Sequence, residues 1–138
     1  MFIWKKEFEL GIKSIDEQHK CLLDLGNRIN ELLVNHDDDD DNYDEIYEVI
    51  EELRAYTVYH FNTEEELFLK YNYPEYHAHK KEHDDFVAFL KSVNPEDIDE
   101  NQKGFLKKLL AQIVQWVFKH IITTDYMYKD YLLRIGMK

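Results

Sequence analysis

Cysteine is almost missing from this 138-residue sequence. Cys21 stands alone, so no internal disulfide can hold the fold, which suits a reducing cytoplasm. Proline (2) and glycine (4) are scarce as well. Little material is left for tight turns, and long helices are expected. No apolar run approaches the roughly 20 residues of a membrane span. Residues 1–10 alternate charged and apolar side chains and lack the hydrophobic stretch of a signal peptide. Positive charge is the minority sign, with 17 Lys and Arg against 29 Asp and Glu and a net charge of -12. Such a surface repels phosphate. Nucleic acid and membranes are therefore not expected partners, and a cytoplasmic location is.

What is present supports one domain over residues 1–138, since 44% of the residues are hydrophobic and can build a core. No repeat of 20–50 residues is visible. Asp37 to Asp41 reads as a solvated acidic loop, because it lacks the glycine and the distal glutamate of a calcium loop. Asn72-Tyr73-Pro74, with Pro74 at a first helical position, and Asn94-Pro95 are the other breaks. They leave an N-terminal arm to about residue 13, helices near 14–36, 42–71, 75–92 and 99–122, and a tail helix near 126–135.

Each long segment carries a stripe at alternating spacings of 4 and 3, the seam of a packed helix. The stripes are Ile15, His19, Leu22, Gly26, Ile29, Leu33; then Ile46, Ile50, Leu53, Thr57, His60, Glu64, Leu67; then Tyr76, His79, His83, Phe86, Leu90; and Leu106, Leu110, Ile113, Val117, His120. Short connections imply antiparallel neighbours. The predicted fold is all-α, an antiparallel up-down-up-down four-helix bundle with an N-terminal arm and a short C-terminal helix.

Histidine and glutamate interrupt these stripes. A single core histidine is ordinarily just a hydrogen-bonded core residue. Five of them with a glutamate would each cost on the order of 2 kcal/mol if buried unpaired, and a metal centre would satisfy them together. His60 and Glu64 are i and i+4, as are His79 and His83, so each pair shares a helix face. Counted outward from the turns, His19 meets His60 and Glu64 meets His83 at one level. His120 fits less well and requires a long connection after residue 92 or an overhanging fourth helix. Asp125 lies five residues beyond His120, about 140° away on an ideal α-helix. If both are ligands, the helix must end or loosen there, for example as a π turn. The other role for Asp125 is to cap the tail helix. Five imidazoles and two carboxylates exceed the needs of one tetrahedral zinc. They suit two metals with carboxylates between them, and nitrogen-rich coordination favours iron over magnesium or calcium. The Glu-x-x-His pairs of ferritin-like di-iron bundles are absent.

The motifs Ile15-Asp16-Glu17-Gln18-His19-Lys20, His60-Phe61-Asn62-Thr63-Glu64-Glu65, His79-Lys80-Lys81-Glu82-His83 and His120-Ile121-Ile122-Thr123-Thr124-Asp125, with Trp4, Gly11 and Tyr128, resemble the hemerythrins, their bacterial branch in particular. The resemblance spans nearly the whole chain and fills all seven ligand positions. It implies two iron ions (Fe2+/Fe3+) with an oxo or hydroxo bridge. His79, His83 and His120 would hold one iron. His19 and His60 would hold the other, with an open position, and Glu64 and Asp125 would bridge. Dioxygen would bind reversibly at the open iron as a hydroperoxide, in an apolar pocket lined by Leu22, Phe61, Trp116, Val117, Ile121 and in part Phe68. Val117 stands where leucine is common in the family, which implies a wider pocket and faster autoxidation. Tyr128, one turn past Asp125, either hydrogen-bonds to the site or packs beside it. His36 and His77 lie off the stripes and read as surface residues, and Cys21 reads as structural.

The expected protein is therefore an oxygen binder for storage, delivery or scavenging, not an enzyme, and a monomer with dioxygen as its ligand. An unidentified redox or delivery partner is open. The alternatives are an oxygen or redox sensor acting through a separate partner, and a di-iron peroxide or nitric oxide reductase. No rubredoxin-like cysteine pair supplies an electron-donor site for such an enzyme.

Overall fold

A computed structural model describes residues 4–35, 41–93, 96, 98 and 101–135, without the side chains of Phe118, Ile121 and Ile122. The chain forms a short 3₁₀ turn (Lys6–Phe8), then α1 (Lys13–Val34), α2 (Tyr43–Lys70), α3 (Tyr76–Lys91) and α4 (Gln102–Lys119). A π-helical segment (His120–Asp125) leads into α5 (Tyr126–Arg134). The four long helices make the predicted bundle.

Cross-helix pairs fix the directions. Gln18 meets His60 while Arg28 pairs with Glu52, so α1 and α2 run antiparallel. Likewise Arg54 donates to the Leu90 carbonyl at 2.7 Å while His83 meets Glu65, so α2 and α3 do too. Phe86 stacks on Trp116, and His83 faces His120, which closes the ring from α3 to α4.

The arm is part of the fold. Gly11 takes φ 86°, a left-handed conformation open to glycine at little cost. The turn it makes lets the Leu10 and Gly11 amides donate to the Asp16 carboxylate at 2.8 and 3.2 Å. Phe8, Leu10 and Ile12 are thereby buried, and the Tyr126 hydroxyl ties the arm down through the Glu7 and Glu9 carbonyls.

Two boundaries differ from expectation. Pro74 lies in the turn ahead of α3 and not at its first position, which Tyr76 takes. α3 ends at Lys91 and α4 starts at Gln102, three residues later than the start expected near 99. The α4 start is fixed by Asn101, whose side chain accepts from the Gly104 amide at 3.0 Å. Asp37 to Asp40, His36 and the Asn94-Pro95 break lie outside the described residues. His77 and Cys21 are exposed. No helix among the described residues is long and apolar enough to cross a membrane.

The buried apolar residues fall into two clusters. The larger holds Leu22, Leu53, Phe61, Phe86, Leu106, Ile113 and Val117 among others. The smaller joins the arm to the tail through Leu10, Ile12, Ile15, Phe68, Tyr73, Tyr128 and Leu132. Between them lies a layer of polar side chains.

Candidate metal centre

All seven polar side chains singled out from the stripes and from Asp125 converge in that layer, each 3% exposed or less. His19 comes from α1, His60 and Glu64 from α2, and His79 and His83 from α3. His120 and Asp125 bound the π segment. A π turn hydrogen-bonds i to i+5, so residues five apart fall on one face. That distortion brings both side chains to one centre, as α geometry would not. The Thr123 hydroxyl donates to the Lys119 carbonyl, satisfying a group near the break.

The seven form two overlapping groups. One is Glu64, His79, His83, His120 and Asp125; the other is His19, His60, Glu64 and Asp125. Within each, one donor atom per residue lies within 4.8 Å of all the others. Both carboxylates belong to both groups. Asp125 turns Oδ2 to His19 Nε2 at 3.0 Å, and Oδ1 to His79 Nε2 at 3.0 Å and His120 Nε2 at 2.9 Å. Glu64 Oε1 faces His60 Nε2 at 2.9 Å and His83 Nε2 at 3.4 Å.

These separations test whether a metal fits. Ligand atoms about 2.1 Å from one ion and at right angles lie about 3.0 Å apart. His83 and His120 bring two Nε2 atoms to 3.1 Å, a separation natural for neighbouring ligands of one ion. Several of the closest atoms, among them His19 Nε2, His79 Nε2, Glu64 Oε1 and both oxygens of Asp125, make no aligned hydrogen bond despite their proximity. Their lone pairs meet in shared space instead of pointing at one another. Buried polar atoms left this way are costly unless something occupies that space. The donor set and its spacing therefore fit a pair of metal ions.

Neighbouring groups set the ring orientations. His60 Nδ1 donates to Gln18 Oε1 at 2.7 Å, and Gln18 Nε2 donates to the Thr63 hydroxyl at 3.4 Å. His83 Nδ1 donates to Glu65 Oε2 at 3.1 Å, and His120 Nδ1 lies 3.8 Å from Glu82. A proton held on Nδ1 leaves Nε2 free as a ligand atom. The Tyr128 hydroxyl donates to Glu64 Oε2 at 2.5 Å, which decides between the two roles left open for it. Gln18, Glu65 and Glu82 were not identified from sequence. Each directly precedes or directly follows a residue of the cage (His19, Glu64, His83), and that adjacency is the available signal.

Burial favours the neutral acid at both carboxyls. The imidazoles override it, His60 and His83 at Glu64 and His120, His19 and His79 at Asp125, and hold both well below the usual carboxylate range. Burial also opposes charge on His83, but Glu64 and Glu65 raise it to about 9. At His60 burial prevails and lowers the pKa. Burial and the Glu64 charge push the Tyr128 phenol well above its ordinary value.

Of the predicted pocket residues, Leu22, Phe61 and Val117 are buried in the larger cluster and Trp116 packs against it. Phe61 stacks on the His83 ring at 3.8 Å, and Trp116 on the His120 ring at 4.3 Å between centroids. The Ile121 side chain lies outside the described residues. Phe68 falls on the opposite side, edge-on to His79 and Tyr128, so it does not share a wall with Leu22 and Phe61.

Fold and site together define an antiparallel helical bundle built around a buried histidine–carboxylate cage for metal. The family model for the hemerythrin HHE cation binding domain matches residues 10–132, and the chain belongs to the hemerythrin family. It is 39% identical over 130 residues to a bacteriohemerythrin of Clostridium acetobutylicum, covering 94% of this chain and all of that one. A hemerythrin-like protein of Naegleria gruberi is 34% identical, with 95% and 93% of the two chains covered. A crystal structure of wild-type hemerythrin superimposes with a TM-score of 0.76 at 24% identity, covering 94% of this chain and 96% of that one.

Proposed function

We propose that this chain is a non-heme di-iron protein that binds dioxygen reversibly, for storage, delivery or scavenging. The observation that carries the reading is the pair of overlapping donor groups that share Glu64 and Asp125. His79, His83 and His120 would hold one iron and His19 and His60 the other, with both carboxylates bridging. When bound, the two irons would supply the electrons and the open coordination position that dioxygen requires.

The remaining work falls to the chain. The His19/His60 group has one fewer protein donor than the other, which leaves room on that side for a small ligand. Leu22, Phe61 and Val117 belong to the larger apolar cluster; they would wall that region with hydrocarbon and keep water out. Tyr128 donates to Glu64 and fixes that carboxylate from the far side. Five neutral imidazoles against two carboxylates leave little anionic charge to stabilise highly oxidised iron, which favours binding over cleavage of dioxygen.

The test begins with anaerobic reduction and an iron assay, followed by visible spectra before and after admitting oxygen. Two irons per chain, with colour that appears in oxygen and vanishes under vacuum, are expected. Colour that decays at once to a stable oxidised spectrum would favour a sensor or a reductase. Failure to take up iron after reconstitution would sink the ligand assignment.

A further inference from the structure

Among the described residues nine polar or charged side chains are buried. Seven make the cage, and Gln18 holds His60. The ninth is Thr57, fully buried, with a hydroxyl that has no hydrogen-bond partner. Helical threonines commonly bond back to the carbonyl four residues earlier, yet Thr57 makes no such bond. A buried hydroxyl left unpaired calls for an explanation.

Its position supplies one. Thr57 lies one turn before His60 on the buried face of α2, toward Leu53 and away from Phe68 and Tyr128. The α1–α2 register runs from the His19–His60 ring contact to the Arg28–Glu52 pair. It sets Thr57 opposite Leu22, in the layer directly above the His19/His60 group. Phe61 follows Thr57 by one turn on the same helix. Its neighbours one turn away on α2, Leu53 and Phe61, and Leu22 across from it are members of the larger apolar cluster.

We propose that the Thr57 hydroxyl is the hydrogen-bond donor for a small ligand held over the His19/His60 side of the cage. This rests on the di-iron reading above and names the residue that recognises the ligand. The ligand class is a two- or three-atom molecule or anion with an accepting end atom. Thr57 is expected to slow its escape while the apolar wall keeps out water.

Azide is the probe, because its terminal nitrogens accept hydrogen bonds. In the iron-loaded, oxidised protein, Thr57→Val should weaken azide binding about tenfold, whereas Thr57→Ser should stay near wild type. The metal-free Thr57→Val protein should melt a few degrees higher, because an unpaired buried hydroxyl has been replaced by a methyl group. Unchanged azide affinity in a Thr57→Val protein that still carries iron overturns the proposal. So does a metal-free variant that melts lower than wild type, which would reveal a protein partner for the hydroxyl. Wild type that takes up iron but no azide overturns it as well. Azide binding that depends on Thr57 in a protein unable to bind dioxygen reversibly would sink the functional reading and uphold the donor.

Discussion

The two sides of the cage differ in chemistry. On one side Leu22, Phe61 and Val117 present hydrocarbon, and the polar group there, Thr57, makes no bond to the cage. On the other, Phe68, Tyr73 and Tyr128 crowd the layer, and the Tyr128 hydroxyl grips Glu64. On the reading proposed above, the first side is the one that would admit a small ligand. The second is a buttress, continued outward by Tyr131, whose hydroxyl donates to the Tyr71 carbonyl at 2.6 Å. A single polar layer thus meets a hydrogen-bonded support on one side and hydrocarbon on the other.

The strongest way to break this division is to remove the wall both halves share. Glu64→Ala deletes a donor from both groups, and iron content should fall well below two per chain. Retention of two tightly bound irons would contradict the bridging role.

Tyr128→Phe tests the buttress. The lost bond goes to a carboxylate, and such bonds contribute about 1.5–3 kcal/mol, so metal-free Tyr128→Phe should unfold at a clearly lower temperature. The azide affinity of the loaded protein should change less than it does in Thr57→Val. A larger effect on azide than on melting would show that the two sides are not separate.

Proton competition sharpens the comparison next. In the metal-free protein His83 titrates at about 9, above its unfolded value near 6.5. Its stabilising contribution is present in full below pH 6.5 and is lost as pH rises through about 9. Metal needs the neutral ring, so iron uptake at neutral pH must expel this proton. The apparent affinity for metal should climb by roughly tenfold per pH unit for that one proton and level off near 9. Titration of metal uptake in two buffers of different ionisation enthalpy would count the protons. No release at pH 7 would contradict the charged state of His83 in the metal-free cage.

The smallest effect belongs to Val117→Leu, which adds one methylene to the receptive wall. It should narrow the pocket and slow autoxidation by a factor of a few, with iron content unchanged. Faster autoxidation would mean that Val117 does not face the ligand path.

The sequence by itself determined the helices, their apolar stripes and the seven side chains of the cage. Those features are local: a repeat of 3.6 residues puts His60 with Glu64 and His79 with His83 whatever the surroundings. The break between His120 and Asp125 was legible as a conflict with α geometry, and the π segment is its resolution. Tertiary structure alone decided that Asp125 gives one oxygen to each half, that Tyr128 bonds to Glu64, and that Gln18 and Glu65 reach His60 and His83. It also set Phe68 in a different apolar cluster from Leu22 and Phe61 and left Thr57 without a partner. Each of those facts depends on the rotation and height of one helix against another. A one-dimensional period carries the face of a helix, but the atom met across the bundle is set by packing all four together.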